Sequence, residues 1–352
     1  MKKTPSTAIF GVLAMLMLIL DSQTAMSSAK VGVELCIQVI IPSLFPFFIL
    51  SGIISSTMLG RKIKFLRPVG KLCRIPEGSE SLLLLGFLAG YPAGAQMIIS
   101  ADQQGALSRK DTERMLGFCC NAGPAFLFGM LSPLFSEKWM LWVLWLIHIL
   151  SALITGVVLP GGRRDTVRIT ATPSLSLADS MVKSVKTMGL VCGWVVVFRV
   201  ILGFGQKLLL CVLPSELQVM ISGLLEISNG CVRLSGLRLE GMRFLFAGIF
   251  LSAGGLCVWM QTKSVTGDIG TGMYLPGKVL QILITTILSI CLQGVFPRES
   301  GIAVPYIILL PLGCIFVIFV CMLYRKLGME KAEKLLYNKD NQSAKESLYV
   351  VS

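Results

Sequence analysis

The chain has 352 residues, of which 54% are hydrophobic and 14% charged. An average soluble domain carries about 25% charged residues, so this composition excludes an ordinary soluble globular protein. The net charge of +13 would suit a nucleic-acid partner, but the basic residues sit between hydrophobic runs, where they set membrane orientation and meet anionic lipid instead.

Several runs reach about 20 nearly uncharged residues, the length that crosses roughly 30 Å of hydrocarbon at 1.5 Å per residue. The ten-residue alternation of a membrane β-barrel is missing. The sequence therefore predicts an all-α polytopic membrane protein. It has about eight transmembrane helices, at 7–26, 31–58, 114–133, 138–160, 184–212, 243–262, 275–296 and 302–324. The first follows Lys2-Lys3 and resembles a signal peptide. No clean small-residue cleavage site follows it, so it reads as an uncleaved N-terminal anchor over 1–30.

Two further apolar segments, about 80–101 and 215–235, are broken. The first reads GFLAGYPAGAQ at 86–96 and the second LLEISNG at 224–230. The first has only about eight apolar residues on either side of its break, too few for two full crossings, and both are predicted to be re-entrant hairpins. Loop charges support this. With Lys2 and Lys3 inside, the loop at 61–78 is cytoplasmic and holds six basic residues against Glu77 alone. If 80–101 returns to its own side, the basic loop at 161–187 and the tail after 324 are cytoplasmic too. Arg233, Arg238 and Arg243 fall on the outer side and run against the rule.

The order span, hairpin, span, span then occurs twice, over 31–160 and over 184–296, with the hairpins opening to opposite sides. That is an inverted repeat of gate-like units, the arrangement that supports alternating access. A cytoplasmic basic linker at 161–183 joins the repeats. A final helix at 297–324 and a cytoplasmic tail at 325–352 complete the chain.

Each hairpin is followed by another break, FCCNAGPAF at 118–126 and LSAGGL at 251–256. Backbone freed at such breaks must be buried in protein or line a wet cavity, and half-helix N-termini there favour an anion. Gly86, Gly90 and Gly94 form overlapping G-x-x-x-G units that allow close helix packing, but packing alone does not explain Gln96 or Asn121 beside the glycines. Glu226 is a carboxylate inside a membrane segment, at roughly 2.5–3.5 kcal/mol on insertion scales. It suits a coupling cation, a proton or a substrate donor, and Asn229 shares its helical face. Arg199, mid-span, wants a carboxylate from Glu226 or from substrate. His148, Gln261 and Gln281 are isolated polar groups in spans. The 11 cysteines lack C-x-x-C or Cys/His spacing and read as small buried hydrophobes, so no metal or other cofactor is expected. No catalytic motif appears, and the chain does not read as an enzyme.

FPFFILSG at 45–52, GFLAGYPAGAQ at 86–96, FCCNAGPAFLFG at 118–129, LEISNG at 225–230 and SAGGLCVWMQ at 252–261 resemble the sporulation integral membrane protein YlbJ family. That family is also called stage V sporulation protein SpoVV and carries a nucleoside recognition (gate) domain similar to concentrative nucleoside transporters. The resemblance implies a transporter in the mother-cell membrane, which becomes the outer forespore membrane, moving dipicolinic acid. It makes Gly90, Tyr91, Pro92, Gln96, Asn121, Glu226, Asn229, Ser252 and Gln261 candidate substrate residues, with Arg199 added on physical grounds. The alternatives are a nucleoside or nucleobase transporter of the same fold and a non-transporting spore-maturation factor. The expected partners are a small anionic substrate and membrane lipid, not nucleic acid. The reading leaves room for a coupling cation or proton and for a homo-oligomer.

Overall fold

A computed structural model describes residues 5–162, 176–267 and 269–293, all within one compact unit, Met1–Ile302. The final helix at 297–324, the tail at 325–352 and most of the basic linker lie outside the described residues.

The described residues fold as helices joined by turns and short loops. Helix α1, Pro5–Leu20, ends at Asp21. The Asp21 side chain accepts from Thr24 N at 3.2 Å and starts α2, Ser22–Leu35. This cap places the start of the second span at Ser22 rather than at 31. Helix α2 runs on through a π turn, Cys36–Ile40, into α3, Ile41–Met58. Two short helices follow, α4 at Arg67–Leu72 and α5 at Glu80–Leu88, then α6 at Ala93–Gln103 and α7 at Arg109–Leu116. Next come α8, Pro124–Leu131, and the long α9, Lys138–Val158, and α10, Leu177–Leu208. The second half continues with α11, Ser215–Leu225, α12, Ile227–Arg233, α13, Glu240–Ala253, α14, Gly255–Thr266, and α15, Tyr274–Gln293.

Five stretches among the described residues are long and apolar enough to cross a membrane: Ser22–Met58, Lys138–Val158, Leu177–Leu208, Glu240–Thr266 and Tyr274–Leu292. Large apolar side chains such as Ile19, Leu50, Trp142, Leu146 and Val182 face outward, a surface suited to lipid rather than water. The chain is a multi-pass membrane protein. The span expected at 114–133 is instead two short helices, because Gly117 to Gly123 leave the helical path before Pro124 restarts it. Proline at the first helical turn has no N–H to lose there.

Both broken segments fold as helix pairs. Helices α5 and α6 meet so closely that a Cβ on Gly94 would lie 3.4 Å from the Gly86 Cα, and α11 and α12 touch through Gly223 and Gly230. Each pair nests on a broken helix of its own half. A Cβ on Gly90 (φ +78°) would stand 2.8 Å from the Gly123 amide nitrogen. Gly255 (φ +77°) faces the last carbonyls of α11, with an added Cβ 3.1–3.3 Å from the oxygens of Gly223, Leu224 and Leu225. The negative end of α11 thus meets the start of α14, a favourable pairing of helix ends.

Candidate functional site at the hairpin tips

The tips of the two helix pairs converge on one cleft. The first half contributes Tyr91, Ala122 and Gly123. The second contributes Glu226, Ser228 and Gln261. Ile40 and Leu44 of the π turn and α3, with Val191 and Val195 of α10, form an apolar wall.

Glu226 lies between α11 and α12 in an extended conformation and is 1% exposed. Its Oε1 accepts from Ser228 N at 3.0 Å, and its Oε2 accepts from Asn229 N at 2.8 Å and Asn229 Nδ2 at 2.6 Å. The carboxylate is therefore the N-cap of α12 and fills the anion site that a half-helix N-terminus offers. Asn229 serves Glu226 as part of this cap; Glu226 is extended, so the two do not share the helical face expected from the sequence. Arg199 does not take this carboxylate: it packs beside Gly32 of α2, and its Nε is buried without a partner. Three donors at the α12 start already satisfy Glu226.

Tyr91 precedes Pro92 through a cis peptide bond. Its hydroxyl donates to the Leu251 carbonyl at 2.9 Å, so the first tip docks on the break of the other half. Behind it lies Lys278, 3% exposed. Lys278 Nζ donates to Tyr91 Oη at 3.3 Å, to Gln281 Oε1 at 2.9 Å and to the Cys120 carbonyl. The ammonium also lies 5.2 Å from the Tyr91 ring centre and 5.8 Å from that of Tyr274. A buried cation with neutral partners is tolerable where freed carbonyls and ring faces replace water. Gln281 Nε2 donates to Asn121 Oδ1 at 3.0 Å, and Asn121 Nδ2 donates to the Phe118 carbonyl at 2.7 Å. Asn121 is thus part of the support behind the cleft. His148 Nε2 accepts from Ala122 N at 3.2 Å, and Ser252 pairs with Thr285 at 2.7 Å. Both are buried structural links.

The predicted residues therefore divide. Tyr91, Glu226 and Gln261 line the cleft. Asn229, Asn121 and Ser252 hold its walls from behind. Gly90 supplies the close approach at the first tip, and Pro92 starts α6. Gln96 lines a separate cleft and donates from Nε2 to Thr187 Oγ1 at 2.5 Å. Lys278 belongs to no motif; its one sequence signal is a lysine inside an apolar run, three residues before Gln281.

No family model matches the chain, and no solved structure matches it. It is similar to the sporulation integral membrane protein YlbJ of Bacillus subtilis (strain 168). The two are 27% identical over 252 residues, 62% of this chain and 60% of that protein. The chain resembles a sporulation membrane protein. The match leaves about two fifths of that relative uncovered.

Proposed function

We propose that this protein is a transporter of a small aromatic metabolite, and that in a sporulating cell its cargo is dipicolinic acid. The observation that carries the reading is the convergence of both hairpin tips on one cleft between two broken helices. Short broken segments at corresponding positions of two halves are how membrane transporters build a substrate site. In this reading the helix pairs are re-entrant, the halves form an inverted repeat of a gate-like domain, and rocking one half against the other exposes the cleft alternately. The similarity to a sporulation membrane protein supports placing the protein in the mother-cell membrane, later the outer forespore membrane. The reaction is movement, not chemistry, and it needs no cofactor.

One observation favours a second reading. Among the described residues, the cleft is lined by a carboxylate, a phenol, a hydroxyl and an amide, with no lysine or arginine. That set suits a neutral hydrogen-bonding ring such as a nucleoside better than a dianion. Flux into proteoliposomes separates the two. Purified protein that moves labelled dipicolinate and not nucleosides supports the first reading. Nucleoside movement alone replaces it with the second, and no movement of either refutes both.

A further inference from the structure

Among the described residues, Lys278 is the only buried lysine. It sits on the membrane helix α15, and its three hydrogen-bond partners are Tyr91 Oη, the Cys120 carbonyl and Gln281 Oε1. None of them is a carboxylate. A charge inside a membrane segment is costly and is kept where it serves a function.

Each of the three oxygens is aimed at the ammonium as an acceptor. The Tyr91 hydroxyl gives its hydrogen to the Leu251 carbonyl, which leaves a lone pair for Lys278. Gln281 Nε2 donates to Asn121 Oδ1, and Asn121 Nδ2 donates to the Phe118 carbonyl. That chain holds the Gln281 amide with its oxygen toward the lysine, one helical turn away on the same face of α15. The Cys120 carbonyl lies in the break between α7 and α8. Four residues on stands Pro124, which has no N–H to return a helical bond. The ring faces of Tyr91 and Tyr274, at 5.2 and 5.8 Å, stand beside these oxygens. Acceptor oxygens and aromatic faces both favour a cation. With neutral ligands alone the set suits a single charge.

We propose that this cluster is a monovalent-cation site that the chain fills with its own ammonium. Transporters built from broken helices use freed carbonyls to coordinate sodium or a proton. Here the carbonyl freed at the first break holds Lys278 instead. The cation at the first hairpin tip is therefore part of the protein, and its occupancy does not follow the ion content of the solution. The inference rests on the transporter reading only for the role of a coupling cation, because the site itself is an equilibrium property.

The test is thermal unfolding of the purified full-length protein in detergent, in ammonium, sodium or choline chloride at equal ionic strength. The parent should unfold at one midpoint in all three, because its site is filled. Lys278→Ala empties the site and leaves the oxygens in place. Its midpoint should rise by about 2 °C or more in ammonium or sodium over choline, and the rise should saturate with concentration as binding requires. Lys278→Met fills the same space with an apolar chain and should show no such rise. Lys263→Ala is the control for a lysine beside an aromatic ring, since Lys263 is exposed and lies 5.4 Å from the Trp259 ring centre; it should also show none. A purely structural lysine would leave Lys278→Ala destabilised equally in every salt. The proposal is overturned by that result, by a Lys278→Ala protein that is unfolded in all three salts, or by an equal rise in Lys278→Met or in the parent. A protein that moves no cargo but passes this test refutes the transporter reading and leaves the site standing. Flux in a protein whose Lys278→Ala variant is blind to ammonium and sodium does the reverse.

Discussion

Replacing Glu226 by alanine tests whether its carboxylate is structural or free for a ligand. In the protein it accepts three bonds, from Ser228 N, Asn229 N and Asn229 Nδ2, at 3.0, 2.8 and 2.6 Å. Alanine leaves all three donors without a partner in a site 1% exposed. An orphaned buried donor costs about 1–3 kcal/mol, and the substitution returns several kcal/mol by removing a buried charge. The expected balance is a loss of about 2–4 kcal/mol, above the ~0.5–2 kcal/mol typical of an exposed cap. Equilibrium unfolding in mixed micelles, followed by tryptophan fluorescence, reads it. Glu226→Asp, with a shorter reach, should fall between. An alanine variant within about 0.5 kcal/mol of the parent would refute the capping argument and return Glu226 to the list of free carboxylates.

Lys278→Met removes the tie between Tyr91, Cys120 and Gln281, and should make the buried Cys119 and Cys120 react measurably faster with a maleimide than in the parent; unchanged labelling would deny Lys278 its bracing role. Gly255→Ala puts a methyl against three carbonyl oxygens at a positive φ, so a loss of about 1–3 kcal/mol is expected in the same unfolding assay. Gln96→Ala breaks the bond to Thr187 and should cost only about 0.5–1.5 kcal/mol in that assay; a larger loss would mean that Gln96 holds more than this one bond. Arg199→Met should leave binding at the hairpin cleft unchanged, because Arg199 does not line it; a large loss there would restore its role as the substrate's counter-charge.

Much of the architecture was legible because it depends on local chemistry. The apolar runs at 138–158 and 274–292 are long enough to span on their own residues. The breaks at Gly90-Tyr91-Pro92 and at Gly254-Gly255 are written in residues that leave the helix wherever they stand, through positive φ or a missing N–H. The same logic misjudged 114–133. There hydrophobicity suggested a crossing, while Gly117, Gly123 and Pro124 ended one helix and began another. The start of the second span was displaced by a single cap at Asp21, a signal too short to outweigh the hydrophobic pattern.

The sequence by itself determined that this is a helical membrane protein and where its membrane helices fail. Only the tertiary structure decided what the failures do. Tyr91 meets the Leu251 carbonyl across 160 residues and Lys278 across 187, contacts that no periodicity or spacing encodes. Glu226 looked like a vacant carboxylate in the sequence, and the fold gave it to the start of its own helix. Lys278 was an unremarked lysine in an apolar run, and the fold made it the cation behind the first hairpin tip. The physical reason is common to both. A helix break is fixed by the conformational preferences of the residues at the break, but the partner of each freed or charged group is whichever neighbour packing brings within about 3 Å.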